Sequence, residues 1–296
     1  MNRQLKGTLI LMLTAIVWGI SFVSQSVSMD YIGPNTFCGI RTLIGALSLV
    51  PVILVMDKSK KKKGEPTSYN NKTLLRGGII CGIILCISAT LQTYGLQYTT
   101  AGKAGFVTAM YMIFVPIYGL FIGKKIRPVI AISVVIAMVG MYFLCIKEGF
   151  TIELGDLLVL ACAFTFAFHI MAVDYYSPRV DGVKLSFLQF FVCGVINIIL
   201  MFILEKPVMA DILKCTIPIL YAGVMSCGVA YTLQIIGQKY AEPTVASIVM
   251  SLESVFAALA GWLLINEPMS MREIFGCVLM FAAITIVQLP DKRLKE

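Results

Sequence analysis

The chain carries one histidine, two tryptophans and sixteen acidic residues, and only 14% of its positions are charged. A soluble domain holds about 25% charged residues. A single histidine leaves little for Ser-His or metal chemistry. No Gly-x-Ser-x-Gly, His-Glu-x-x-His or phosphate-binding Walker loop occurs, and no carboxylate-rich aqueous segment is present. An enzyme is therefore not expected. Neither are a cofactor, a bound metal or ATP as an energy source. The nine cysteines show no Cys-x-x-Cys pair and sit mostly inside apolar runs (Cys81, Cys86, Cys145, Cys162, Cys193, Cys227, Cys277), as small buried hydrophobes do.

What the chain has instead is apolar residues. They make up 58% of 296 positions, with a mean hydropathy of +0.88. Such a chain takes the lipid bilayer as its solvent. The net charge of +8 does not point to nucleic acid here, because the basic residues cluster in short breaks between apolar runs. Arg3 and Lys6 before Leu9–Ile20 imitate a signal peptide, but no small-x-small cleavage site follows closely. The segment reads as a retained helix.

A spanning helix needs about 20 mostly apolar residues. Ten runs meet this: Gly7–Val27, Pro34–Met56, Leu74–Gly95, Ala101–Ile122, Pro128–Ile146, Gly155–Asp174, Val183–Leu204, Leu213–Ile236, Pro243–Ile265 and Met271–Leu289. None alternates with period two, which argues against barrel strands. Asp57–Thr73 is the one substantial loop expected, with Lys60–Lys63 solvated within it. Pro116 and Pro218 fall inside runs and are candidate kinks.

The chain also repeats itself. Leu91–Phe143 matches Leu233–Thr285 at a constant offset without gaps: Leu91-Gln92 meets Leu233-Gln234, and Gly95, Tyr98, Ala104, Phe114 and Gly119 meet Gly237, Tyr240, Ala246, Phe256 and Gly261. The first two runs of each half correspond more loosely, Gly7 facing Gly155, Trp18 facing Phe166 and Arg41 facing Gln189. The division is 1–146 and 147–296.

Lys and Arg fix the expected orientation. With the N-terminus inside, the inner segments hold Arg3, Lys6, Lys58, Lys60–Lys63, Lys72, Arg76, Lys124, Lys125, Arg127, Arg179, Lys184, Lys239, Lys292, Arg293 and Lys295. The outer ones hold Lys147, Lys206, Lys214, Arg272 and Lys103. This places both termini in the cytoplasm of a multi-pass protein of the cell membrane. Five spans per half is odd, so the second half enters inverted, an arrangement suited to alternating access.

Particular motifs resemble a family. Trp18-Gly19-Ile-Ser-Phe22, Arg41-Thr-Leu-Ile-Gly-Ala-Leu, Ala104-Gly-Phe…Phe114-Val-Pro-Ile…Gly119 and Ser251-Leu-Glu253-Ser254-Val-Phe-Ala resemble the first, second, fourth and ninth helices of EamA-like members of the drug/metabolite transporter superfamily. Ser254 stands where that family usually has proline, so no proline enforces a kink. The resemblance implies ten helices in two inverted five-helix repeats, a central cavity, and export or uptake of small metabolites. The expected function is a secondary transporter of small organic metabolites. The other reading is a membrane-embedded receptor or scaffold that transports nothing. Expected partners are a small-molecule substrate and the lipid bilayer. Proton or ion coupling and a homodimer are both compatible with the sequence.

Polar groups at membrane depth are costly and so are the candidate residues. Glu253 lies about ten residues into its run, roughly 15 Å deep. It reads either as a proton, cation or substrate site or as a carboxyl bonding neighbouring helices. Its repeat mate Tyr111 lines a cavity or packs. Arg41, about 10 Å below the outer surface, attracts anions, pairs with a carboxylate or snorkels. His169 reads as a proton relay or as a locally bonded core histidine. Gln92 and Gln234 bridge helices or bond substrate. Trp18 lines the cavity floor or belongs to an aromatic belt.

Overall fold

A computed structural model describes residues 3–63, 70–99, 101–123, 126–145, 153–265 and 269–287. Lys124, Lys125, Lys147, Glu267 and everything after Val287 lie outside them, as does the side chain of Lys103. The described residues are helical throughout, apart from short turns, and contain no strand. Only a helix lets an apolar segment satisfy its own backbone where no water is available.

The helices are α1 (Arg3–Met29), α2 (Pro34–Lys62), α3 (Asn71–Leu96), α4 (Ala101–Thr108), α5 (Tyr111–Phe121), α6 (Pro128–Cys145), α7 (Leu154–Tyr176), α8 (Gly182–Leu204), α9 (Met209–Lys214), α10 (Thr216–Leu220), a π-helical stretch (Tyr221–Tyr231), α11 (Thr232–Gln238), α12 (Pro243–Met250), α13 (Glu253–Ile265) and α14 (Met271–Val287). Eight helical segments among the described residues are long and apolar enough to cross a bilayer, counting α4–α5, α10–α11 and α12–α13 as continuous segments; α6 is apolar but shorter. Large apolar side chains such as Leu47, Phe121, Phe202 and Ile217 point outward. In water that surface would be untenable, and in lipid it is ordinary. The molecule is a multi-pass membrane protein.

The ends of α2 show how local chemistry sets the helix boundaries. Pro34 occupies its first turn, where a missing N–H costs nothing. The free N–H groups that follow are met by a carboxylate from the end of α8. Glu205 accepts from the backbone N–H of Asn35 at 2.7 Å and of Thr36 at 2.9 Å, and from the Thr36 hydroxyl at 2.6 Å. At the other end, Lys60 pairs with Asp181 at 2.6 Å and Asp57 with Lys184 at 2.9 Å. Asp181 also caps α8 by accepting from Val183 and Lys184 N–H. These pairs correct the expected loop: α2 runs on to Lys62, because its basic last turn is anchored to the start of α8.

Two segments are broken, and neither break is made by proline. Between α4 and α5, Met110 N–H bonds to Val107 and Met112 N–H to Ala109, three residues back rather than four. Between α12 and α13, Leu252 N–H bonds to Val249 and Ser254 N–H to Ser251 in the same way. The tighter turns lie at matching positions of the internal repeat. Pro116 sits within α5 and Pro218 within α10.

Packing is reciprocal between the halves. α3 packs on α7 and α8, while the segment from α10 to α11 packs on α1 and α2. α4 and α5 pack on α7, and α12 and α13 on α1; α2 packs on α8 and α6 on α14. The largest buried cluster joins α1, α4–α7 and α12–α14 around Leu11, Met112, Met141, Met250 and Met280.

Candidate functional site

One face of α1 opens the site. Trp18, Ser21, Phe22 and Gln25 recur at helical spacing i, i+3, i+4 and i+7, and all line one cavity. Gly19 lets α13 come close to this face. A Cβ there would lie 2.6 Å from Phe256 Cβ and 2.8 Å from the Glu253 carbonyl. The Trp-Gly pair thus sets α1 against the helix that begins at Glu253.

The break between α12 and α13 puts Glu253 at the start of α13, and the matching break puts Tyr111 at the start of α5. Both line the cavity. The Tyr111 hydroxyl donates to Glu253 Oε1 at 3.2 Å across 142 residues of sequence, the offset of the internal repeat. Gln92, from α3, donates to the Thr108 hydroxyl at 3.1 Å. Gln234, from α11, enters from the other half, and its Oε1 is buried without a hydrogen-bond partner among the described residues.

The π-helical stretch adds Ser226 and Tyr231, five residues apart. A π-helix closes its bonds over five residues and is often found at functional sites. Tyr231 meets Trp18 edge-on at 4.6 Å between ring centres. The Trp18 Nε1 donor has no partner among the described residues.

Arg41 reaches the cavity from α2 and is only 6% exposed, so it does not snorkel. Its Nη1 donates to Gln25 Oε1 at 3.2 Å, its Nη2 lies 3.8 Å from Cys38 Sγ, and its guanidinium stacks over Phe37 at 4.9 Å. Its Nε has no partner, and no carboxylate among the described residues forms an ion pair with it. Gln25 is itself oriented, donating weakly to Thr93 at 3.4 Å.

Six of the residues singled out from sequence, Glu253, Tyr111, Trp18, Gln92, Gln234 and Arg41, therefore line one cavity. His169 does not line it. It is fully buried, with Nε2 3.0 Å from Gln189 Oε1, beside the rings of Phe166 and Tyr231. Sequence reasoning missed Gln25, Tyr231, Ser21, Ser226 and Thr108. The helical spacing from Trp18 would have found Ser21 and Gln25. Among the described residues, no group of His, Cys, Asp or Glu is arranged to hold a metal ion.

The cavity has a volume of about 50 Å³, room for one or two waters at the ~30 Å³ each occupies in the liquid. A second cavity of about 300 Å³ lies between α5 and the start of α12, lined by Val115, Gly119, Met171, Pro243 and Thr244 among others. One face of α5 serves both: Tyr111 lines the first, Val115 and Gly119 the second. Arg127 pairs with Glu242 at 3.2 Å beside the second cavity.

With this geometry in hand, similarity to known proteins decides the family. The sequence profile of the EamA-like transporter family matches residues 5–146 and 153–289. The chain belongs to that family. It is 30% identical over 298 residues to an uncharacterized transporter of Archaeoglobus fulgidus, covering 97% of this chain and 87% of the relative. It is 25% identical to the uncharacterized transporter YoaV of Bacillus subtilis, covering 91% of this chain and 92% of that one. A solved crystal structure superposes with a TM-score of 0.75 at 17% identity, covering 98% of this chain and 99% of the other. That likeness shows a shared fold. The stretches around Trp18, Arg41 and Glu253, whose motifs resemble this family's, converge on one cavity.

Proposed function

We propose that this EamA-like protein is a secondary transporter that moves a small organic metabolite across the cell membrane by alternating access. The cavity between the halves carries the reading, because residues at matching positions of the repeat, Tyr111 and Glu253, bond to each other there. The proposed frame is ten spans in two inverted five-helix repeats, residues 1–146 and 147–296, with both termini in the cytoplasm.

Several observations support the inversion. The family profile matches the chain twice, once in each half. α2 and α8, equivalent in the repeat, run antiparallel: the start of α2 meets Glu205 at the end of α8, and Lys60 meets Asp181 at its start. Contacts repeat at opposite ends. A Cβ on Gly7 would lie 3.0 Å from the Gly237 carbonyl, and one on Gly155 would lie 2.7 Å from the Gly95 carbonyl. Two such halves can rock about a central site.

A cavity this narrow admits water but not a metabolite, since ligand pockets run to about 300–1,000 Å³. Transport therefore requires the halves to part. With both termini in the cytoplasm, the face of α5 that continues from Tyr111 to Val115 and Gly119 leads toward the cytoplasmic side, which supports the second cavity as the cytoplasmic route. Untargeted metabolite comparison of cells with and without the protein tests the reading. The expected result is a changed internal-to-external ratio for a small set of related solutes. No change for any solute across growth conditions would favour the receptor or scaffold reading.

A further inference from the structure

We infer that the central cavity selects organic monocarboxylates, with Arg41 taking the carboxylate through its Nε–Nη2 edge. This rests on the cavity being the substrate site of the proposed transporter. The argument starts from cost. A guanidinium at membrane depth is expensive, and in most proteins it is offset by a carboxylate or by hydration. Arg41 is only 6% exposed and has no ion-pair partner among the described residues. Its hydrogen bonding is incomplete in a specific way. Nη1 is used by Gln25. Nε is buried and unpartnered, and Nη2 has only a long contact with a thiol.

Nε and Nη2 form one edge of the planar guanidinium, the edge that matches two carboxylate oxygens. A second buried donor without a partner, Trp18 Nε1, lines the same cavity. Both lack acceptors, and a carboxylate supplies only acceptors. Gln25 holds the guanidinium by its oxygen, so Arg41 is fixed before an anion arrives.

The lining also limits charge. Among the described residues that line it, Arg41 is the only basic one and Glu253 the only acidic one. One cation offsets one negative charge. A dianion such as phosphate would bring a second charge that no cation in the described lining balances. The aromatic and apolar neighbours Phe22, Phe166, Tyr231 and Met250 suit an organic remainder rather than a bare inorganic ion.

Purified protein in detergent allows a test without knowledge of the natural substrate. Trp262 is exposed and Trp18 lines the cavity, and the chain has two tryptophans. In a Trp262→Phe protein, fluorescence therefore reports the cavity. Acetate, lactate and benzoate are compared with acetamide, lactamide and benzamide, and with inorganic phosphate. Saturable change with at least one acid, and none with its amide or with phosphate, is expected. Arg41→Lys should weaken that acid at least tenfold, and Arg41→Gln should abolish the response. The wild-type comparison of acid with amide stands even if Arg41→Gln does not fold. Equal responses to acid and amide, an equal response to phosphate, no response to any acid, or acid binding unchanged in a folded Arg41→Gln protein would each overturn the inference. A protein that binds acids but moves no solute in proteoliposomes would instead overturn the transport reading alone. Transport with no preference for acids would do the reverse.

Discussion

Tyr111 and Glu253 occupy the same position of two repeated halves, each at the first residue after a break in its segment, and the Tyr111 hydroxyl donates to the Glu253 carboxyl at 3.2 Å. The bond is buried, with the two side chains 3% and 5% exposed. It ties the two broken helices together at the cavity. Tyr111→Phe and Glu253→Gln should each lower thermal stability in detergent. A double-mutant cycle should show a coupling within about 0.5–3 kcal/mol, as for residues in direct contact. Additive effects would mean that the pair does not couple the halves.

Gly19 is predicted to be intolerant of any side chain. A Cβ there would lie 2.6–2.8 Å from atoms of Glu253, Phe256 and Ala257, two of them backbone atoms, which cannot swing aside. Gly19→Ala should cost about 1–3 kcal/mol, as overpacking does. Gly105 is the control, because the nearest atom to a Cβ there is Ser254 Oγ at 3.6 Å. Gly105→Ala should leave the melting temperature nearly unchanged. Equal tolerance at both positions would contradict the close approach of α1 and α13.

Much of this arrangement is legible in the sequence, and the exceptions have physical causes. Depth in an apolar run identifies costly polar groups, which is how Glu253, Arg41, Gln92 and Gln234 stand out. Depth does not tell which side of a helix a residue occupies. On α7, Phe166 and Ile170, four apart, face the cavity, while His169, one residue from Ile170 and so about 100° around the helix, turns to Gln189. Ser226 and Tyr231 are hidden for another reason. The π-helical stretch changes the period, so an α-helical reading back from Gln234 does not join Tyr231 to Ser226. The breaks at 109–110 and 251–252 carry no proline signal. Lys60 and Asp57 read as loop residues because their partners, Asp181 and Lys184, are far away in sequence.

Asp181 predicts a pH effect. Burial pushes its carboxyl up, but the Lys60 ammonium and the backbone N–H groups of Lys184 and Val183 outweigh that and hold it below its ordinary value. A lowered folded-state value contributes stability that is present above the usual carboxylate range, near pH 4, and lost as pH falls through the lowered value. Asp181→Asn keeps a helix cap and removes the charge. It should cost about 1 kcal/mol at neutral pH, given that Lys60 is partly exposed. It should also flatten the loss of melting temperature between pH 5 and pH 3. An identical acid profile in both proteins would show that the pair contributes nothing.

Topology can be read from single cysteines in an otherwise cysteine-free protein. Lys63 follows the end of α2 and Lys206 follows the end of α8, and these ends lie at opposite ends of an antiparallel pair. A cysteine at 206 should react with an impermeant reagent in intact cells. A cysteine at 63 should react only after permeabilisation. Labelling of both from the same side would end the inverted-repeat reading.

The most direct measurement of the central claim uses purified protein in liposomes loaded with a cell metabolite extract, with solute efflux followed by mass spectrometry. The account predicts that a small set of related solutes leaves faster than from protein-free liposomes. It also predicts that a bulky residue placed in the cavity, as in Ser226→Phe in a protein that still folds, stops that efflux. Efflux that matches protein-free liposomes for every solute, or that is untouched by filling the cavity, would contradict it.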